Sequence, residues 1–550
     1  MPDRRLDASA LLDWADAAVA ALIARADEIN RLNVFPVADA DTGTNMLFTM
    51  RAALAEAVSA GRGDVARTAA ALSTGAAHGA RGNSGVILSQ ILGALADVTT
   101  EAAAEAAADT ALADIGPGLF GAALRHAVAR VVSAMGGEFV AGTVVSVLQA
   151  AAEAAEHAAA DGHPLSRALA RAADAAADAL EVTPTQLAVL ADAGVVDAGG
   201  RGLLVLLDAL TRTVTGVAPA RRAYPPAHVD ISADTADTAD TAGLEFEVMY
   251  SLGGADPDAL ERLRATLSAI GDSVALAAAA EGRHSVHVHT DDAGAAIEAG
   301  LAHGEVSRIR IAGLATGRVA PGGWSMQRAV LAVVDGDGAE TLFGSEGAVV
   351  LRPDADLVDP ANGVSAAELL RGVVDTGAAQ VMVLPNGYVS AEDLVAGCTA
   401  GIGWGIDVVP LPAGSMVAGL AALAVHDTAR AAVDDGYAMA RAAAGSRHGS
   451  VRVATETALT WAGTCKPGDG LGLSGEEVLV VAENAAAAAA RLIDLLLGSG
   501  GELVTVLLGA EAEPAAADAL AEHVHRRHPG AEFASYRTGH RGDPLLIGVE

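Results

Sequence analysis

Cysteine, basic residues and aromatic residues are all scarce in this 550-residue chain, and each scarcity excludes a class of protein. Two cysteines, Cys398 and Cys465, exclude a disulfide framework and a cysteine-rich metal cluster. A formal net charge of −34 and an aromatic content of 3% argue against broad nucleic-acid binding and against base-stacking surfaces. The first residues lack the apolar core of a signal peptide, and no uninterrupted apolar run reaches the ~18 residues of a membrane span. The composition therefore predicts a cytoplasmic protein with no integral membrane segment and no nucleic-acid partner.

Changes in pattern divide the chain into four parts. Residues 6–217 read as helices almost throughout and predict an all-α N-terminal domain. Residues 218–243 contain prolines and the triplet Ala-Asp-Thr repeated three times, which predicts a flexible linker because such a tract cannot bury a core. Residues 244–324 alternate in the manner of strands and predict a small α+β middle domain. Residues 325–550 alternate short apolar runs with helical segments and predict an α/β C-terminal domain with a largely parallel sheet.

The most informative segment carries two carboxylates, Asp39 and Asp41, one residue apart. Pro36 and Gly43 keep this segment irregular, and an apolar pattern of helical spacing follows it directly. Adjacent carboxylates repel unless a cation lies between them, and Mg²⁺ prefers such oxygen ligands. The segment therefore predicts a metal site, with an Asp-rich helix cap as the alternative.

Three further segments place glycine and small polar residues at the start of apolar helices, at residues 79–85, 141–143 and 194–203. Glycine lets the backbone approach a ligand, and the free N–H groups of a helix start suit phosphate. Any one of them is also ordinary loop chemistry. Together they predict several helix starts converging on one polyanion, although neither a P-loop nor a dinucleotide-binding glycine motif is present.

These motifs resemble a known family. The sequences Asn-Val-Phe-Pro-Val at 33–37, Asp-Thr-Gly-Thr-Asn-Met at 41–46, Ala-Arg-Gly-Asn-Ser-Gly at 80–85 and Gly-Val-Val-Asp-Ala-Gly-Gly at 194–200 resemble the nucleotide-binding L domain of dihydroxyacetone kinases. The match is closer to the catalytic subunit of bacterial fatty acid kinases. That resemblance implies an antiparallel barrel of eight helices that holds Mg-ATP at one end. It also implies phosphorylation of a fatty acid, presented by a separate fatty-acid-binding carrier protein, to give acyl phosphate.

The resemblance implies roles for individual residues. Asp39 and Asp41 would be the catalytic pair and would bind the magnesium ions. The nucleotide would be contacted by Asn33, Thr44, Asn45, Gly82, Asn83, Ser84, Gly85, Thr143 and Asp197. The chain departs from the family in two segments. The family usually has Pro-Asp-Gly-Asp where this chain has Ala-Asp-Ala-Asp at 38–41, and Pro-Val-Glu-Gly-Thr where this chain has Phe-Val-Ala-Gly-Thr at 139–143. Neither departure removes a metal ligand.

In the middle domain, His287 and His289 lie two apart on a predicted strand, a spacing that allows both to reach one zinc ion. The family can supply a third ligand from a cysteine in a Tyr-Cys-Thr-Glu strand, but this chain lacks that cysteine. Glu245 could substitute for it. The simpler interpretation is two exposed strand histidines.

Two alternatives to the fatty acid kinase remain open from the sequence. One is a component of a dihydroxyacetone-type kinase of small substrates, which would use the same nucleotide site. The other is a non-catalytic, nucleotide-binding regulatory scaffold that binds partners through its C-terminal α/β region. The helical domains of the family often pair, so the resemblance also allows a homodimer.

Overall fold

The structure is a computed structural model that describes residues 4–36, 40–61, 63–105, 112–222, 224, 244–279, 282–313, 326–357 and 359–550. It divides into two compact units, Met1–Gly317 and Arg318–Glu550. Most of the predicted linker at 218–243 lies outside the described residues, so its flexibility stays a prediction.

The first unit begins with helices. Nine of them lie in the described part of residues 4–222: α1 (Ala8–Arg31), α2 (Thr42–Ser59), α3 (Val65–Gly79), α4 (Gly82–Glu105), α5 (Pro117–Ala134), α6 (Val144–Ala160), α7 (Leu165–Gln186), α8 (Ala188–Ala193) and α9 (Ala198–Thr215). Each of α1 to α7 packs against the next, α7 also packs against α9, and α9 returns to α1. Within the described residues this closes a ring of eight helices, with the short α8 attached to α7. The predicted eight-helix barrel is confirmed.

Small residues allow the helices of this ring to approach closely. A Cβ added at Gly75 would lie 2.3 Å from the carbonyl oxygen of Ala52, and one at Gly79 would lie 2.1 Å from the Ala52 Cβ. Helix α9 is buried on most of its surface, and its central residues 203–207 are all apolar, so they are buried on every side of the helix. Its backbone accepts a buried hydrogen bond at Leu206 from the indole N–H of Trp14 in α1, at 3.1 Å.

Helix α4 is the one helix in the described ranges that is long and apolar enough to span a bilayer, judged by length and composition alone. Half of the window that meets this criterion is buried inside the structure. The helix packs between α3 and α5 in the ring. Helices in the core of a protein have the same length and composition as membrane-spanning helices.

The rest of the first unit is a four-stranded antiparallel sheet with two helices. Its elements are β1 (Phe246–Gly253), α10 (Pro257–Ile270), β2 (Gly271–Ala278), β3 (His284–Thr290), α11 (Ala293–Leu301) and β4 (Glu305–Gly313), and the strand order is β2-β3-β1-β4. One face packs Val248, Tyr250, Val286 and Val288 against α10 and α11. The opposite face contributes Met249 and two alanines to a cluster with residues of α4 and α5. The sheet therefore presents its second face to the helical ring, and the predicted α+β class is confirmed.

The second unit begins with an α/β half. Its elements are β5 (Met326–Val333), α12 (Asp337–Ser345), β6 (Val349–Leu351), α13 (Ala366–Asp375), β7 (Ala378–Leu384), α14 (Ala391–Gly403), β8 (Asp407–Pro410), α15 (Met416–Ala424) and α16 (Ala432–Gly445). The strands form a parallel sheet of order β6-β5-β7-β8.

The second half of this unit contains β9 (Arg447–Val453), β10 (Ala458–Thr460), β11 (Gly463–Cys465), β12 (Gly470–Ser474), β13 (Glu477–Ala482), α17 (Ala485–Leu497), β14 (Leu503–Leu508), α18 (Ala516–Arg527), β15 (Glu532–Arg537) and β16 (Leu545–Val549). Six of these strands form a sheet of order β13-β12-β9-β16-β14-β15, in which only β14 and β15 pair in parallel. The predicted α/β class is confirmed, but the prediction of one largely parallel sheet is wrong. Short connections such as the turn between β12 and β13 permit antiparallel pairing, which apolar runs alone do not reveal.

One ion pair joins the two halves of the second unit. The Arg541 guanidinium contacts both carboxylate oxygens of Asp335 at 2.6–3.1 Å and donates to the carbonyl oxygens of Asp354, Ala355 and Leu357. Asp335 is buried, and burial raises its pKa, but the hydrogen bonds and the charge of Arg541 hold the pKa below its usual range. The pair fixes the loop after β5 against the loop before β16.

Candidate active site

The first wall of the candidate site is the start of α2. Asp41 is the N-cap residue of α2, but its side chain makes no capping hydrogen bond. Asn30 of α1 caps the helix instead, because its Oδ1 accepts from the amides of Gly43 at 2.7 Å and Thr44 at 3.2 Å. Helix capping therefore does not use the Asp41 carboxylate, and the alternative of an Asp41 helix cap does not apply.

The same asparagine determines where Thr44 points. Its Nδ2 donates to the Thr44 hydroxyl at 2.9 Å. Thr44 thus faces α1 and is not part of the pocket wall, whereas the next residue, Asn45, is buried and lines the pocket.

The second wall is the start of α4. Gly82 has φ +54°, a conformation that favours glycine, and a Cβ there would lie 2.2 Å from Nδ2 of Asn45. Oδ1 of the next residue, Asn83, is buried and has no hydrogen-bond partner among the described residues. The Ser84 hydroxyl donates to the Thr42 hydroxyl at 3.4 Å. Gly85 lies behind this wall, where a Cβ would come within 2.4 Å of the Thr49 hydroxyl.

The third wall comes from the middle sheet. Glu247 on β1 is opposite His289 on β3, and Met249 is opposite His287, so both histidines share one face with Glu247. Nε2 of His287 lies 3.0 Å from Oε1 of Glu247, and the two imidazole centroids are 4.9 Å apart. One ligand atom from each of these three residues lies within 4.8 Å of the others. This arrangement is a possible three-ligand metal site.

The protonation of His287 is constrained at both ring nitrogens. Its Nδ1 lies 3.0 Å from the carbonyl oxygen of Ser273, which can only accept a hydrogen bond. A neutral imidazole has one N–H, so if Nδ1 donates to Ser273, Nε2 presents a lone pair to Glu247. Either a second proton or a cation then belongs between them. Burial raises the pKa of the Glu247 carboxyl, but the hydrogen bond and charge of His287, with His289 and Arg81, hold it below its usual range.

Two expectations for the middle domain are wrong. His287 and His289 are 0% and 4% exposed, so they are not exposed strand histidines. Their face of the sheet is covered by the helical ring. Glu245 is exposed and its amide donates to Asp291, and the third member of the cluster is instead Glu247. Glu245 precedes β1, whereas Glu247 lies within the strand and opposite His289.

The three walls enclose one pocket within the first unit. Its lining residues are Asn33, Phe35, Pro36, Asp41, Thr42, Asn45, Gly82, Asn83, Ser84, Glu247 and His289. The structure therefore brings together the predicted residues of the α2 and α4 starts with the histidine cluster of the middle sheet. Asp39 lies outside the described residues, so its role stays a prediction.

Thr143 and Asp197 are at two other helix starts and do not line this pocket. The Thr143 hydroxyl donates to the carbonyl of Val140 and accepts from the amide of Val145 at the start of α6. Asp197 caps α9 by accepting from the amide of Gly200 at 2.7 Å. Burial raises the pKa of Asp197 to about 6, although hydrogen bonds from Gly200 and Val144 act in the opposite direction. The bond from Val144 places the starts of α6 and α9 side by side.

Comparison with known sequences identifies the family. The DAK2 domain matches residues 36–212, the middle domain of FakA-like fatty acid kinase proteins matches residues 243–318, and their C-terminal domain matches residues 329–550. The chain belongs to the FakA-like fatty acid kinase family.

Relatives of this family member align over nearly its full length. Protein YloV of Bacillus subtilis is 28% identical over 97% of both chains, and the uncharacterized protein SH1689 of Staphylococcus haemolyticus is 27% identical over 96% of both. Two solved structures align with 41% of the chain. One is a DegV family protein of Thermus thermophilus described as fatty acid binding. It is 13% identical, the alignment covers 100% of that protein's chain, and the TM-score is 0.32. The other is the Fak B3 protein of Streptococcus pneumoniae loaded with linoleic acid, with 12% identity, 99% coverage and a TM-score of 0.28. Likeness at this level carries no argument about function.

The sequence motifs assigned no role to Arg81, a charged residue next to the pocket. Arg81 directly precedes Gly82, and its guanidinium lies over the Phe48 ring at 3.8 Å from the centroid. Burial, reinforced by the charges of Arg310 and Arg51, lowers the pKa of Arg81 to about 9, while Glu247 acts in the opposite direction. The sequence feature that could have identified Arg81 is its position inside the glycine-rich start of α4. A long cationic side chain is costly to bury there unless an anion lies nearby.

Proposed function

We propose that this protein is an ATP-dependent kinase that phosphorylates the carboxylate of a fatty acid. The carrying observation is that the Asp41 and Asn83 walls of the ring and the Glu247–His289 wall of the sheet line one pocket. Phosphoryl transfer requires a site for phosphate and cations beside a site for the acceptor, and these walls offer both.

The residues of the first two walls fit a magnesium nucleotide. Asp41, Asn33 and Asn45 provide oxygen atoms of the kind that Mg²⁺ prefers. Gly82 allows the positive φ with which the chain enters α4, and the amides of a helix start suit phosphate. The unpaired Oδ1 of Asn83 indicates a buried polar group that a ligand or its water would satisfy. Bound Mg²⁺ would neutralise charge on the phosphates.

The third wall would hold the acceptor end of the reaction. Two imidazoles and a carboxylate are a common zinc ligand set that leaves a fourth position open. Nδ1 of His287 is oriented by the Ser273 carbonyl, as metal-binding histidines usually are by a second partner. A carboxylate acceptor is ionised near neutral pH, so these groups need only orient it and offset its charge. No general base is required.

Arg81 would stabilise negative charge as the phosphoryl group moves. The charge of Glu247 attracts Arg81, and the charges of Arg310 and Arg51 repel it. An anion near this cluster would therefore be favoured, and a developing charge on phosphate is such an anion. The Phe48 ring fixes the plane of the guanidinium.

The fatty acid would be presented by a separate carrier protein. The pocket wall consists mainly of short polar side chains, and only Phe35 and Pro36 in its lining are large and apolar. Such a wall suits a carboxyl group better than an acyl chain. The acyl chain would then be held outside this pocket, by a second protein that offers only the carboxyl end.

The test is acyl phosphate formation by the purified chain with Mg-ATP. We expect turnover with a fatty-acid-loaded carrier protein from the same organism and little with free fatty acid alone. Asp41→Asn should abolish turnover with the carrier. Efficient phosphorylation of dihydroxyacetone would instead favour the small-substrate kinase, and nucleotide binding without any turnover would favour the regulatory scaffold.

A further inference from the structure

A second cluster of metal-binding side chains lies in the other unit, on the helical layer over the mixed sheet. Asp494 is on α17, His523 is on α18, and His528 is the residue that ends α18. Their side chains are 28%, 18% and 25% exposed, so they lie at the rim of the apolar contact between the two helices. An ion from solvent could reach them without any unfolding.

The two histidines converge on a single atom. Nε2 of His523 lies 2.9 Å from Oδ1 of Asp494, and Nε2 of His528 lies 2.6 Å from the same oxygen. The ring centroids are 6.4 Å apart. All three ligand atoms lie within 4.8 Å of one another, the spacing that one ion can bridge.

The end of α18 makes this convergence possible. In a continuous helix, residues five apart point roughly 140° away from each other and cannot share a partner on one side. His528 has left the helix, with φ −130° and ψ 67°, and this change returns its ring to the side of His523. The helix C-terminus also carries partial negative charge, which favours a cation there.

We propose that Asp494, His523 and His528 form a zinc site in the C-terminal unit, separate from the pocket of the first unit. Two imidazole nitrogens and one carboxylate oxygen match zinc chemistry, with a water at the fourth position. Zinc would take the place of the two Nε2 protons that face Oδ1, and each proton would move to Nδ1 of its own ring or to solvent. Each ligand would move outward by about 1 Å or less to reach a metal–ligand distance of roughly 2.0–2.2 Å.

Arg527 forms an ion pair with Asp494, and its positive charge would repel a cation bound at this cluster. Its Nε lies 3.5 Å from Oδ2 of Asp494, and its side chain is 67% exposed. An exposed arginine held by one ion pair contributes little to stability, so it can turn into solvent when a cation binds. Zinc would then join α17 to the end of α18 and should stabilise the C-terminal unit through binding to the folded state.

The experiment counts zinc bound to the full-length protein after chelator treatment, by equilibrium dialysis near neutral pH and elemental analysis. It is done in a background carrying His287→Ala and His289→Ala, so that the first unit cannot contribute. We expect one equivalent, lost in His523→Ala and in His528→Ala and retained in His525→Ala. His525 is the matched control because it is exposed on the same helix and contacts the Ala521 carbonyl.

A fourth variant separates metal binding from hydrogen bonding. Asp494→Asn keeps an acceptor for the two imidazoles but removes the charge, so the fold should persist while zinc affinity falls at least tenfold. Cobalt(II) should give a tetrahedral absorption band in the background protein that is absent in this variant. The proposal is overturned if the background protein binds no zinc, or if all four variants bind it equally. Either result would mean that the cluster is only a hydrogen-bonded contact between helices.

Discussion

Nε2 of His287 lies 3.0 Å from Oε1 of Glu247, although the two residues are 40 positions apart and on different strands. This contact joins β1 and β3 on the face of the middle sheet that packs against the helical ring. It also orients the carboxylate of Glu247, which lines the pocket together with residues of the ring.

Asp41→Asn should abolish magnesium-dependent nucleotide binding and turnover while the melting temperature changes little. The reason is that helix capping at α2 is performed by Asn30 and not by the Asp41 side chain. Calorimetry with Mg-ADP measures the loss. Asp192→Asn, an exposed change of the same charge, is the control. Unchanged Mg-ADP affinity in Asp41→Asn would contradict the proposed metal site.

Arg81→Met should lower kcat by about 100-fold or more, in the range seen when a donor to developing charge is removed, while the Kd for Mg-ADP changes little. Arg81→Lys should restore part of kcat. Arg51→Met serves as the comparison, because this second arginine lies farther from the same Phe48 ring, at 6.0 Å. If nucleotide affinity and kcat fall together in Arg81→Met, then Arg81 supports binding or folding and not the transfer step.

Asp197→Asn should change how stability depends on pH without abolishing nucleotide binding. The folded pKa of about 6 exceeds the unfolded value of 3.8, so this carboxyl binds a proton more tightly when folded. Its contribution is therefore present below pH 3.8 and is lost as the pH rises through 6, a difference of about 3 kcal/mol. Asparagine keeps the acceptor for Gly200 and avoids the buried charge.

The corresponding measurement is urea unfolding at a series of pH values on both sides of the folded pKa of about 6. The stability of Asp197→Asn relative to the wild type should increase as the pH rises from 3.8 to about 6 and should then level off. A constant difference would mean that the carboxylate is ionised throughout. Loss of Mg-ADP binding in the variant would support the nucleotide contact that the family resemblance implies for Asp197.

Arg541→Ala should destabilise the C-terminal unit by about 3 kcal/mol, since it leaves a buried carboxylate without its partner. Asp335→Asn should cost less, and the double variant should cost less than the sum of the two single changes. Chemical denaturation of all three variants gives this cycle. Strict additivity would show that the two side chains do not interact energetically.

The sequence predicted most of the fold because helical and strand periodicities are local properties. It placed Asn33, Asp41, Asn45 and the residues at the start of α4 at one site through motif resemblance. It did not predict the direction of strand pairing in the second unit, where β13 and β14 look like any buried run. It also missed the burial of His287, because the surface that covers this strand comes from helices far away in sequence.

Residue-level contacts were least predictable at the helix starts. Thr44 and Asp197 have the types and spacings of ligand-binding residues, but their side chains contact Asn30 and Gly200. A hydroxyl or carboxyl group at a helix start satisfies helix amides and ligands equally well. Thr44 faces away from the pocket because Asn30 lies beside it on the neighbouring helix.

The shared pocket also has a consequence for the order of events during synthesis on the ribosome. Domains generally fold as they emerge, from the N-terminus onward. The ring closes once α9 has emerged, but Glu247 and His289 are translated later. Under the proposed function, a nascent chain would therefore possess the α2 and α4 walls proposed to hold the nucleotide before it possesses the wall that completes the pocket, so ATP would bind the growing polypeptide without being consumed.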